Sequence, residues 1–127
     1  HWFTVDDLHH LRRGGRISST VELIGSALKI KPVMNVNNEG RLISMAKARG
    51  RKMAIKALVE KVGDAVDPEN QTMMITHGDC LEEAEELADE IKKKYGVKEI
   101  IINYVGAVIG AHSGPGTLAL FFIGKQR

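Results

Sequence analysis

The chain has 127 residues, 43% of them hydrophobic and 27% charged, which bounds it to one domain around a single core. Its net charge of +2 divides into a basic first 56 residues, with 11 Lys and Arg against 4 Asp and Glu, and an acidic remainder, with 7 against 12. That split favours a local anionic partner over general nucleic-acid affinity, an aromatic share of 5% is too low for a base-stacking platform, and a lone cysteine, Cys80, excludes an internal disulfide and fits a reducing compartment.

Thr4 is placed to cap a first helix. Asp6 and Asp7 lie in its first turn, Leu8 and Leu11 on one face, Arg12 and Arg13 at its end, and Gly14-Gly15 stops it. Arg16-Ile17-Ser18 is a short connector. Ser19 with Glu22 is a capping-box signature, and Val21, Ile24 and Leu28 repeat at helical spacing, so a second helix is predicted over 20–28. Residues 31–36 form a predicted strand with Pro32 near its start. Asn37-Asn38-Glu39-Gly40 turns the chain, and residues 41–45 return as the hairpin partner.

Lys47, Arg49, Arg51, Lys52 and Lys56 follow with no acid among them, leading into a helix that buries Ile55, Leu58, Val59 and Val62. Cations at a helix N-terminus oppose the macrodipole, so the cluster reads either as a solvated face or as a surface for an anionic ligand or acidic protein. Residues 71–77 are the next predicted strand. Asp79 and Glu82 then form a capping box for a helix burying Leu81, Ala84, Leu87, Ala88, Ile91 and Tyr95, closed by Gly96. Its acids come first and its lysines last, as the dipole prefers, so those charge runs need no functional explanation.

Residues 97–103 are a strand apolar enough to be central. Gly106, Ala107, Gly110 and Ala111 give a short helix a closely approachable face, and His112 precedes a Gly114-Pro115-Gly116 turn. Residues 117–123 are the last strand. No Lys, Arg, Asp or Glu occurs from Ile100 to Gly124, but Asn103, His112, Ser113 and the turn interrupt the stretch, so it reads as core on either side of a site and not as a membrane span. A hairpin followed by alternating strands and helices predicts an α/β two-layer sandwich, a mixed sheet of about five strands with helices packed against it.

No signal peptide, phosphate loop, dinucleotide fingerprint, nucleophile elbow or zinc-spaced Cys/His set is visible, so neither a cofactor nor a metal is expected. Cys80 reads as a structural residue, His77 as a local hydrogen-bonder, and His9 and His10 as exposed or capping residues. What remains is Arg16 after Gly14-Gly15 and His112 before Gly114-Pro115-Gly116, each on a glycine-bounded connector. Either they cap neighbouring backbone separately, or they meet and hold a carboxylate or phosphate by charge-assisted hydrogen bonds.

Residues 11–18 (Leu11-Arg12-Arg13-Gly14-Gly15-Arg16-Ile17-Ser18), Lys31-Pro32-Val33, Lys47-Ala48-Arg49-Gly50 and Ile109-Gly110-Ala111-His112-Ser113-Gly114-Pro115-Gly116 occur in this order. Together they resemble the C-terminal domain of a DegV family protein, the fatty-acid-binding proteins of bacteria. The resemblance implies that residues 1–127 are a lipid-binding domain whose N-terminal companion, which carries the main Ser/Thr grip on the carboxylate, is absent, with a chain opening on His1-Trp2-Phe3 as if cut from a longer polypeptide. It implies one long-chain fatty acid held between the two domains, with Arg16, His112 and Gly114 at the fatty-acid site. It also implies a cytoplasmic protein that is not an enzyme, without nucleic-acid binding or membrane insertion, and exposed apolar surface that lets the fragment self-associate. Some members present the acid to a fatty acid kinase, and Arg49, with Arg51 and Lys52, matches the partner-binding arginines. Two other readings stand beside this one: a phosphotransferase related to dihydroxyacetone kinases, which needs a nucleotide site and acidic metal ligands, and a protein-interaction module built on the basic cluster 47–56.

Overall fold

The computed structural model describes residues 1–16 and 29–125; the helix predicted over 20–28 and its Ser19/Glu22 cap lie outside them. The elements in chain order are β1 (Trp2–Thr4), α1 (Leu8–Arg13), β2 (Ile30–Val36), β3 (Leu42–Arg49), α2 (Arg51–Lys61, continued by a 3-10 turn, Val62–Asp64), β4 (Thr72–His77), α3 (Leu81–Tyr95), β5 (Glu99–Tyr104), α4 (Ala107–Ser113) and β6 (Leu118–Phe121). The strands form one sheet in the order β3-β2-β1-β6-β4-β5. Only the β4–β5 pair is parallel, so the sheet is mixed, an α/β architecture with six strands.

Strand alternation assigns each residue to a face. On β4, Met73, Ile75 and His77 are buried; their register partners Leu118 and Leu120 on β6 share that face. Against it pack Ala54, Ile55, Leu58 and Val59 of α2 and Ala84, Leu87, Ala88 and Ile91 of α3, which makes the main core. Their recurrence every three to four residues gives each helix one apolar stripe. The other face carries Met74, Thr76, Ala119, Phe121, Phe3 and Met34. There α1 seats a smaller cluster of Val5, Leu11 and Met34, and α4 packs beside α1.

Several local expectations yield to this arrangement. Trp2–Thr4 is a strand between β2 and β6, so Thr4 is buried in the sheet and Asp7 caps α1. The Asp7 carboxylate accepts a hydrogen bond from the His9 N–H at 2.8 Å, and that bond holds its carboxyl below the usual range. Strand β3 runs on to Arg49, and Gly50, at φ +91°, turns the chain into α2. Lys47 and Arg49 therefore sit on an edge strand, and only Arg51, Lys52 and Lys56 of the basic cluster are helical. Cys80, not Asp79, occupies the N-cap of α3, without a side-chain capping bond, because Asp79 adopts a left-handed φ of +54°. Leu81 points outward, 46% exposed. Strand β5, apolar enough for a central position, is an edge strand, and Ile101 on its outer face is 47% exposed. The sheet's centre is instead β1 and β6.

Candidate ligand cavity

A cavity of about 370 Å³ lies on the sheet face opposite α2 and α3. Phe3, Ala119 and Phe121 floor it, as their shared pleat requires. Leu11 closes it from α1, and Val105, just before α4, walls it together with Val108 and Ile109 of α4. Its polar lining includes Arg16, His112, Ser113, Thr76 and Thr117, and no Asp or Glu lines it among the described residues.

Arg16 and His112 come together because of Gly14. This glycine has an ordinary right-handed backbone (φ −75°, ψ −4°), so nothing in its conformation demands glycine. Its demand is space: a Cβ there would lie 2.6 Å from Cδ2 of the His112 ring. The bare Cα is the seat of the imidazole. The Gly14 carbonyl, in turn, accepts a hydrogen bond from Nη1 of Arg16 at 2.8 Å, and the Arg16 N–H donates to the Leu11 carbonyl at 3.0 Å. One residue thus anchors the guanidinium and seats the imidazole, a role the sequence reading missed by treating Gly14-Gly15 only as a stop. The available signal was the doublet: Gly15, at φ +72°, suffices for the turn.

His112 sits in the last turn of α4, a helical position where the sequence suggested a loop. Its Nδ1 lies 2.6 Å from the Val108 carbonyl oxygen. A carbonyl only accepts, so Nδ1 is the donor and Nε2 is the nitrogen left for a ligand. Ser113 donates its hydroxyl to the Ile109 carbonyl at 2.8 Å. The seat is reciprocated across the helix pair. Gly114, at φ +81°, packs under His10, whose ring a Cβ there would approach to 2.6 Å, and the Gly114 carbonyl accepts from the Thr117 hydroxyl at 2.7 Å. Gly114 is a junction behind the cavity and does not line it.

The three residues that the resemblance offers for a partner divide. Arg49 and Lys52 are exposed. Arg51 is turned inward, 15% exposed, donating from Nε (2.9 Å) and Nη2 (2.6 Å) to Oε2 of Glu83 and so tying α2 to α3. Two further titratable groups, His77 and Cys80, have local partners. The His77 ring lies 4.5 Å from Tyr104, and its Nδ1 accepts from the Cys80 N–H at 3.3 Å. Burial pushes the Cys80 thiol up, the opposite of what activates a nucleophile. Among the described residues no group of three or more His, Cys, Asp or Glu is placed to hold a metal, and no helix is long and apolar enough to cross a membrane.

Gly14→Ala is expected to displace the His112 ring and destabilise the protein by about 1–3 kcal/mol, the usual cost of overpacking, since the backbone geometry itself suits alanine. Thermal unfolding together with the His112 ring resonances checks it: an unmoved ring would contradict the seat.

A family model described as "Uncharacterised protein, DegV family" matches residues 1–125. A DegV domain-containing protein of Clostridium perfringens is 55% identical over 128 residues, covering 100% of this chain and 44% of that protein. The crystal structure of a DegV lipid-binding protein from Thermotoga maritima superposes with a TM-score of 0.77 at 36% identity, covering 99% of this chain and 43% of that one. A fatty-acid-binding DegV family protein from Thermus thermophilus superposes with a TM-score of 0.82 at 30% identity, covering 94% and 43%. The chain thus spans less than half the length of these relatives.

Proposed function

The chain belongs to the DegV family, and from that premise we propose that it binds a long-chain fatty acid, its acyl chain along the apolar cavity and its carboxyl group between Arg16 and His112. The observation that carries this reading is the meeting of Arg16 and His112 at Gly14, on the wall of an apolar cavity that no carboxylate lines among the described residues. A guanidinium and an imidazole on its wall orient a carboxyl group, and apolar walls stabilise a chain by about 0.8 kcal/mol per buried methylene. The ligand class is carried over from the relatives described as lipid- and fatty-acid-binding. At about 370 Å³ the cavity lies at the small end of ligand sites, which commonly span roughly 300–1,000 Å³, in keeping with a pocket that a second domain completes.

We read the protein as a carrier in the bacterial cytoplasm, not a catalyst: Ser113, the one serine among the described residues that line the cavity, spends its proton on its own helix. The test is extraction of a relative-length protein carrying this chain into organic solvent, followed by mass spectrometry. A fatty acid near one per protein is expected; an extract free of fatty acid contradicts the reading.

The exposed surface bearing Arg49 at the end of β3 and Lys52 at the start of α2 fits an acidic partner surface, and the partner we propose is a fatty acid kinase that phosphorylates the bound carboxylate. Arg49→Glu is expected to slow acyl phosphate formation about tenfold, through loss of electrostatic steering. The fatty-acid Kd stays unchanged. A weakened Kd would move Arg49 to the ligand site.

A further inference from the structure

The hydrogen bond from Nδ1 of His112 to the Val108 carbonyl decides more than the orientation of the ring. With Nδ1 carrying the proton, Nε2 of the neutral imidazole is a bare lone pair. A carboxylate approaching it meets acceptor against acceptor, which repels. The contact becomes attractive only with one added proton, shared as imidazolium and carboxylate or as imidazole and carboxylic acid. Resting on the fatty-acid reading above, we propose that this cavity is proton-linked: each carboxyl group bound at His112 brings one proton from solvent, held between Nε2 and a carboxyl oxygen, while Arg16 serves the other oxygen.

The surroundings leave this proton to the ligand. From α4 itself no other charged group is present. From α1 and its connector come the Arg16 guanidinium and the His10 ring, the latter seated on Gly114 and engaged through Nδ1 with Arg13 at 3.0 Å, with the Asp7 carboxylate 3.7 Å from the same nitrogen. From the sheet side His1 lines the cavity, its ring 5.4 Å from that of Phe121. The described side-chain contacts of Arg16 and His10 run elsewhere than to His112, and no described acid lines the cavity to supply the countercharge. The proton count also balances: the fatty acid is an anion in neutral water, the imidazole enters with one proton on Nδ1, and the complex holds two protons between imidazole and carboxyl, one of them taken from solvent.

The test uses a relative-length protein carrying this chain and palmitate held below its aggregation limit. Affinity is measured from about pH 7.5 to 9.5. Uptake of one proton makes Kd rise about tenfold per pH unit, the linkage slope for a single site. Calorimetry in two buffers of different ionisation enthalpy should return about one proton absorbed per ligand, a readout that needs no variant. In His112→Gln the amide donates at the position of Nε2 without titrating, so the slope should flatten. Palmitate binding with a pH-independent Kd and no proton uptake overturns the proton linkage and leaves the fatty-acid reading standing. A slope that persists in His112→Gln overturns the assignment to His112. Failure of palmitate to bind at any pH overturns the fatty-acid reading itself.

Discussion

Leu120→Ala is expected to lower the unfolding free energy by about 2–5 kcal/mol, the range for a fully enclosed leucine whose cavity only partly collapses. Leu120 is completely buried on β6, pairs in register with Trp2 and Ile75, and faces α2 and α3 across the main core. Central strands cannot relax toward solvent, so the hole stays. The contrasting change is Ile101→Ala on β5, as apolar in sequence but 47% exposed at the sheet edge. Surface truncations of this kind usually cost less than about 1 kcal/mol. Urea unfolding of the two variants, read as midpoint shifts at constant slope, checks the pair. Equal losses would mean that the strand order β3-β2-β1-β6-β4-β5 is wrong at one of these two places.

The second large effect concerns the ligand. Arg16→Ala and His112→Ala should each weaken fatty-acid binding by about 1.5–3 kcal/mol, the worth of a hydrogen bond to a charged group, or roughly ten- to a hundredfold in Kd. Both side chains lean on Gly14, and in the proposed complex both serve one carboxyl group, so the double variant should lose less than the sum of the two. Dissociation constants for the parent and the three variants at one pH provide the cycle. Unchanged binding in both single variants would remove the carboxyl from this end of the cavity.

The mixed α/β sheet was legible because its strong signals are local: the Asn37-Asn38-Glu39-Gly40 turn, the apolar stripes of α2 and α3, and Gly96, which ends α3 at φ +69°. What escaped was set by pairing across the sheet. Three residues, Trp2–Thr4, are too few to show a period, yet they form a central strand because β2 and β6 flank them. An apolar run such as Ile100-Ile101-Ile102 states that a strand is sticky, not whether it has one neighbour or two, so β5 was placed at the centre when it belongs at the edge. Capping preferences likewise lost to chain geometry at Asp79.

The candidate site was legible in its residues and not in its construction. Arg16 and His112 stood out as the polar residues beside glycine pairs, 96 positions apart in sequence, and they do line one cavity. That a side chain's absence at Gly14 joins them is a statement about tertiary space, which no spacing rule encodes. Arg51 shows the converse: in sequence it is one cation among five, and only the packing of α2 on α3 turns it inward to Glu83.

The most direct measurement is a crystal structure of a palmitate-loaded, relative-length protein carrying this chain. The carboxyl oxygens should lie within about 3 Å of the Arg16 guanidinium and of His112 Nε2, with the methylene chain running past Val108, Ile109 and Phe121. A ligand lying the other way round, its methyl end between Arg16 and His112, would contradict the account.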